Sequence, residues 1–290
     1  MSCFRGDLCR IQRASSRELL EWRNIRGRTV THVAAGYSQV AALVRVLQLT
    51  DYVHLNSWDE DSRTPLGVAV VTGQVATRRS VRCLCWVEAS VLALLALRAD
   101  VELRASGGHA ALHLAAMCGH ADITQAIVDM KADVEAETVY YGRPGHRPLS
   151  IACSEGHEKI VRLLAESRAD MEARTCTGAA ALHVAAWNGH AEAAAALLAG
   201  KADVNVATED VFQRTPLSLA LMNGHSTTVG LLLGAKADVG PHEESEDLDL
   251  LTPANTTRSR KRRLFKKYTR KVRTSTPFTL GRCMFSIVFH

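Results

Sequence analysis

The chain has 290 residues, 47% of them hydrophobic and 5% aromatic, with 35 basic and 30 acidic side chains. That length allows one large domain or two ordinary ones, and the longest apolar run, Val91 to Leu97, falls far short of the roughly 20 residues a helix needs to cross a bilayer. Charge is uneven: residues 258–290 hold eleven Lys or Arg and no acid, so the first 257 carry 24 basic against all 30 acidic groups.

Residues 1–25 form a leader of weak periodicity. Within it, Ser16-Arg17-Glu18-Leu19-Leu20-Glu21-Trp22 has the spacing of a short amphipathic helix that would cover the open end of the helical array beginning at residue 26; an unstructured leader is the alternative. The start, MSCFRGDLCRIQRASS, has no apolar signal-peptide core. The eight cysteines, at 3, 9, 83, 85, 118, 153, 176 and 283, include no Cys-x-x-Cys pair. Free thiols in a reducing, intracellular setting are expected, cytoplasmic with a nuclear alternative.

From residue 26 the chain repeats itself. The clearest unit, Ala179 to Ala207, reads as two short helices joined by Asn188-Gly189-His190 and closed by Ala202-Asp203-Val204-Asn205. Isolated helices under roughly 12–15 residues are marginal in water, so each pair must bury its apolar face on a neighbour. Anchored on His183, equivalent positions are His32, Gly67, His113, Ser150 and Ser218, spaced by 35, 46, 37, 33 and 35 residues. Six residues past each anchor stand Ser38, Gly73, Gly119, Gly156, Gly189 and Gly224, followed by His120, His157, His190 and His225 in the last four units. Ala132-Asp133, Ala169-Asp170, Ala202-Asp203 and Ala237-Asp238 recur at the closing turn. The units lie near 26–60, 61–103, 104–138, 139–173, 174–206 and 207–239.

Each residue type suits its place. Thr64 and Thr215 can cap a helix whose first position is Pro65 or Pro216, where no N–H is needed. The Gly after the first helix accepts the left-handed backbone that ends it. Ala115-Ala116 and Ala185-Ala186 let helices approach closely. The second helices carry Ile123, Ile127 and Val128; Ile160, Leu163 and Leu164; Leu197 and Leu198; and Val229, Leu232 and Leu233 as core candidates. The first unit is degenerate, its turn Gly36-Tyr37-Ser38 lacking the Gly-His pair. The second holds about thirteen extra residues, Val75 to Val87 (VATRRSVRCLCWV), between its helices. A functional loop, lengthened helices and a gene-model artefact are all open for it; Cys83 and Cys85, without further ligands nearby, make no metal site. The fourth and sixth units have longer fingertips, at 140–146 and 210–213.

The runs Thr64-Pro65-Leu66-Gly67, Ala110-Ala111-Leu112-His113, Arg147-Pro148-Leu149-Ser150, Ala180-Ala181-Leu182-His183 and Thr215-Pro216-Leu217-Ser218 resemble the signature of the ankyrin repeat family. The resemblance covers roughly residues 26–239. It implies an all-α solenoid of about six helix–turn–helix units with β-hairpin-like fingertips. It also implies that the anchor histidines tie each turn to its neighbours, which leaves no metal-binding or catalytic role for them, and His109 sits in a turn. No nucleophile arrangement, phosphate loop or kinase signature is present. The expected protein is a non-enzymatic, cofactor-free, monomeric scaffold or adaptor.

In this family partners lie across the fingertips and the concave side of the first helices. The matching positions here are Trp58, Asp59, Asp61 and Arg63; Met117; Tyr140, Tyr141 and Arg143; Trp187 and Asn188; Phe212 and Gln213; and Met222 and Asn223. Trp187 and Tyr141 are expected to be exposed, whereas Phe212 and Met117 could instead fill packing gaps. An acidic, then Thr/Asn-rich linker, 240–257, leads to the basic tail, 258–290. Arg260, Lys261, Arg262 and Arg263 with Lys266 and Lys267 form a cluster suited to an importin, hence a nuclear alternative. Leu264, Phe265, Tyr268 and Val272 would share one helical face opposite the cations, which suits an anionic membrane or a peptide-binding groove. A solvated tail that binds nucleic acid without sequence preference is the third reading.

Overall fold

In the computed structural model, residues 16–37, 39–77, 84–140, 143–209 and 213–238 are described. The chain divides into two compact units, Met1–Arg143 and Pro144–His290. In each, the described residues form a stack of antiparallel helix pairs.

The first unit opens with α1 (Ser16–Glu21), followed by the pairs α2 (Val30–Gly36) and α3 (Val40–Leu49), α4 (Pro65–Thr77) and α5 (Leu84–Ala96), and α6 (Ala111–Cys118) and α7 (Ala121–Asp129). Leu19 of α1 is buried with Val30 and Val46, and Trp22 packs against them. His54 Nε2 meets the Leu20 carbonyl at 3.1 Å, which holds α1 to the loop after α3. First helices pack on first helices, α2 on α4 and α4 on α6, and second helices on second, α3 on α5 and α5 on α7. A short ribbon, β1 (Val139–Tyr140) paired with β2 (Arg143–Pro144), follows α7.

The second unit repeats the scheme with α8 (Pro148–Glu155) and α9 (Glu158–Glu166), α10 (Ala181–Asn188) and α11 (Ala191–Ala199), and α12 (Pro216–Asn223) and α13 (Ser226–Gly234). Here α8, α10 and α12 stack in one layer and α9, α11 and α13 in the other.

The sequence dictates this closeness. Two and three residues past the anchors, Ala34-Ala35, Ala115-Ala116, Ala152-Cys153 and Ala185-Ala186 are fully buried, and small side chains there bring the first helices together. The leucines before the anchors, Leu66, Leu112, Leu149, Leu182 and Leu217, point into the core. In the second helices only part of each expected apolar set is core: Ile123, Ile127, Ile160, Leu164, Leu197 and Leu232 are buried, whereas Val128, Leu163, Leu198 and Leu233 are half-buried. One stripe of a nine-residue helix reaches the core, and the next position turns away.

Thr64 and Thr215 cap as their position demands: their hydroxyls accept the Gly67 N–H at 3.1 Å and the Ser218 N–H at 3.3 Å. Seven of the extra residues of the second repeat lie in its helices. Residues 75–77 end α4 and 84–87 begin α5, each thirteen residues long, where α6 has eight; residues 78–83 lie outside the described set.

Two glycines separate backbone need from vacancy. Gly189, after α10, has φ 77°, and a Cβ there would come 2.4 Å from the His225 ring. Gly230, inside α13, would meet nothing within 4 Å. Gly189→Ala should therefore destabilise the second unit by about 1–2 kcal/mol from the left-handed backbone alone, and further from the clash. Gly230→Ala should stabilise it by about 0.5–1 kcal/mol, because Gly costs that much in a helix interior. Urea unfolding of both variants checks the opposite signs.

Candidate partner-binding surface

A surface can bind by rigid contact only if the backbone beneath it is fixed. Three sets of bonds fix it here. The first is the anchor histidine. The Ala180 N–H donates to His183 Nδ1 at 3.1 Å, so the neutral ring carries its proton on Nε2, which donates to the Arg214 carbonyl of the next fingertip at 2.9 Å. His113 takes the Ala110 N–H on Nδ1 at 3.2 Å and reaches the Ala136 carbonyl at 2.9 Å. His32, in the unit that looks degenerate by sequence, takes the Thr29 N–H at 3.2 Å and reaches the Arg63 carbonyl at 2.9 Å. Where the anchor is Ser218, its hydroxyl turns back to the Thr215 carbonyl, and the Thr215 hydroxyl donates to the Asp238 carbonyl at 3.0 Å.

The second set is at the corner. His190 Nε2 lies 3.0 Å from the Ser154 carbonyl and His225 Nε2 lies 2.9 Å from the Trp187 carbonyl. Each histidine ring occupies the space that a side chain at Gly156 or Gly189 of the preceding repeat would fill.

The third is a ladder along the closing turns that sequence reading recognised only as turn residues. Asp100, Asp133, Asp170 and Asp203 each accept the N–H two residues on, at 2.9–3.0 Å. The side chain at that second residue then accepts from the next repeat: Glu102 takes the Asp133 N–H at 2.8 Å, Glu172 the Asp203 N–H at 2.9 Å and Asn205 the Asp238 N–H at 2.7 Å. At the fingertips Arg174 Nη1 donates to the Ala207 carbonyl at 2.6 Å, and Arg104 donates to the Glu137 carbonyl. The signal that could have shown these partners is the acceptor that follows Ala-Asp at a fixed distance.

On this frame stand the side chains expected to bind. Trp187, Asn188, Met222 and Asn223 are half-buried at the ends of α10 and α12. Asn188 reaches the Ser154 hydroxyl at 3.5 Å and Asn223 donates to the Leu219 carbonyl at 3.1 Å, so both amides serve the scaffold. Gln213 is exposed with φ 43°. In the first unit Met117 is half-buried, Trp58 exposed and Arg63 half-buried. Asp59 is not available to a partner: its carboxylate is fully buried, 3.1 Å from Arg28 Nε, and accepts the Arg63 N–H at 2.7 Å. Asp61 also faces Arg28, at 3.6 Å. Tyr141 and Phe212, the side chains of Tyr140 and Arg143, and the cluster from Arg260 to Lys267 lie outside the described residues.

His109 stands in extended backbone just past a 3-10 turn, its ring edge-on to that of His113 at 6.0 Å between centroids. Burial pushes the Cys153 thiol far above its ordinary range, which makes it an inert packing group. Among the described residues no three His, Cys, Asp or Glu side chains are grouped as a metal site requires. No helix there is long and apolar enough to cross a membrane.

The model of the ankyrin repeats (3 copies) matches residues 82–175 and 169–242. That is more than half of the chain, which therefore belongs to the ankyrin repeat family. The match begins within the second repeat, yet α2 to α4 share its bonding pattern. Comparison with curated proteins returns no match. Ankyrin repeats are generally protein–protein interaction modules, and the fold is typically non-enzymatic.

Burial lowers the pKa of His32 and His109 below 6.5; for His32 the Arg63 carbonyl opposes the shift without cancelling it. The unfolded chain then binds protons that the folded one refuses. Stability is complete above about pH 6.5 and falls as the pH drops through 6.5 toward the lowered folded values. Denaturant midpoints at pH 7.5 and 5.5 should show the loss, with the His32 ring, followed by NMR, protonating at lower pH than a free histidine.

Proposed function

We propose that this protein is a non-catalytic scaffold or adaptor of the cell interior, and that a partner protein docks on the first-helix side of its second unit around Trp187 and Met222. The observation that carries this reading is the combination of a fixed backbone with a half-exposed indole. The Trp187 carbonyl holds His225, and Asn188 is tied to Ser154. Ser154, Trp187 and Met222 occupy equivalent places on α8, α10 and α12, four residues past their anchors. A pre-ordered surface loses little freedom on binding, and Trp is among the residues that most often anchor interfaces. Met117 holds the same place in the first unit.

The second reading gives the leading role to the basic tail, on importin, nucleic acid or an anionic membrane. It is supported by eleven cations without an acid in residues 258–290. Deleting 258–290 separates the two: the adaptor keeps its affinity for the protein partner, and the alternative loses its binding and its steep salt dependence.

For a partner recovered by affinity capture and titrated by calorimetry, Trp187→Ala should weaken binding by tenfold or more, the scale of an interface hot spot. The thermal midpoint should change little. A sharp fall in melting temperature with unchanged affinity would make Trp187 a core residue and overturn the assignment.

A further inference from the structure

The first helices of the second unit are almost without charge. α8, α10 and α12 contain no Lys or Arg and a single carboxylate, Glu155. The cations of this unit stand on α9, on the closing turns and at the fingertips. Glu155 ends α8, is half-buried, and forms no ion pair among the described residues. It follows Ser154, whose hydroxyl is 3.5 Å from the Asn188 amide. The carboxylate thus belongs to the same surface as Trp187, on helices whose axes pack about 8–10 Å apart. A ligand for this surface must bring apolar groups for Trp187 and Met222 and a cation for Glu155. An acidic ligand would meet Glu155 with nothing on these helices to offset it.

The chain itself carries a segment of that chemistry. Residues 258–273, RSRKRRLFKKYTRKVR, hold ten Lys or Arg and no acid, with Leu264, Phe265, Tyr268 and Val272 at the spacing of one helical face. The described backbone ends close to the surface. The Asp238 carbonyl is 3.0 Å from the Thr215 hydroxyl at the start of α12, and Met222 stands seven residues along that helix, about 10 Å away. Nineteen residues, 239–257, separate Asp238 from the basic segment. A flexible chain of that length has a root-mean-square span of roughly 25 Å, enough to reach Met222 and Trp187 on the next helix. Closure is intramolecular, at an effective concentration on the order of 1 mM, so a contact of about millimolar affinity already keeps the surface half covered. The five acids from Glu243 to Asp249 attract the same cations, but no aromatic ring stands among them to receive Leu264 and Phe265.

We infer that the basic segment 258–273 closes in cis on the surface of Trp187 and Met222, its apolar groups against those two side chains and its cations toward Glu155. The inference rests on that surface being the partner's docking site, and it makes the tail the partner's competitor. A partner that displaces the segment exposes its cations, so a protein on the first helices and an anionic ligand on the tail assist each other's binding.

Indole NMR of the full-length protein reads the contact, because Trp187→Phe assigns its signal among the four tryptophans. Phe265→Ala, and Lys266→Glu combined with Lys267→Glu, should each shift the Trp187 signal and leave those of Trp22 and Trp58 in place. High salt should move the wild-type signal the same way. A Trp187 signal indifferent to the tail variants and to salt overturns the inference, even where Trp187→Ala still weakens a captured partner. A response that fades on dilution belongs to the tail of a second copy and overturns closure in cis. For a partner that needs Trp187, the double lysine variant should bind about twofold tighter, the factor for a site half covered; unchanged affinity overturns the competition. A Trp187 signal that follows the tail, with partner affinity unaffected by Trp187→Ala, upholds the closure and refutes the partner site alone.

Discussion

A neutral imidazole that accepts on one nitrogen and donates on the other joins one repeat to the next. Its Nδ1 holds the start of its own helix and its Nε2–H holds the carbonyl of the following fingertip, as His183 does between Ala180 and Arg214. The bond needs burial, because water at either nitrogen would compete for it. It also supplies part of the order that makes burial achievable. Around it the small residues of the first helices can meet without gaps, and short helices that would melt alone acquire a neighbour on each side. In the repeat anchored on Ser218, where the histidine is absent, the Thr215 hydroxyl reaches the Asp238 carbonyl instead.

The two units use this frame differently. Among its described residues the second keeps its large apolar groups at most half-exposed, Trp187 and Met222 among them at the ends of first helices. The first displays Ile25 and Trp58 outright on tips cross-linked by Arg28 and Asp59. Both arrangements put these side chains on backbone that bonds between repeats have already ordered. At the first two tips Arg28, Asp59 and Asp61 are consumed in holding the tips together.

Much of this was readable in the residues. Helix pairs, their caps and the anchor histidines follow from local chemistry repeated at fixed intervals, and His32 and Gly189 could be placed without coordinates. Bonds that cross from one repeat to the next were harder. Glu102, Glu172 and Asn205 look like ordinary polar turn residues until the following Asp N–H is set against them. Asp59 looked like an interface residue because nothing local announces that Arg28, thirty-one positions earlier, buries its carboxylate. The half-exposure of Trp187 depends on what stands four residues past the anchors of adjacent repeats, a relation between helices rather than within one.

The long helices of the second repeat show where such an array tolerates change in length. α4 and α5 run on for thirteen residues each, which carries their ends at this corner about 6–8 Å past the level at which an eight- or nine-residue helix stops. The Thr64 cap at the start of α4 and the Asp100 turn after α5 still form, because both sit at the opposite end of the pair. No histidine follows Gly73, so no corner bond has to be broken to let the pair grow. Extra length at that corner thus leaves the cap and the turn at the other end of the pair, where the bonds to neighbouring repeats are made, in place.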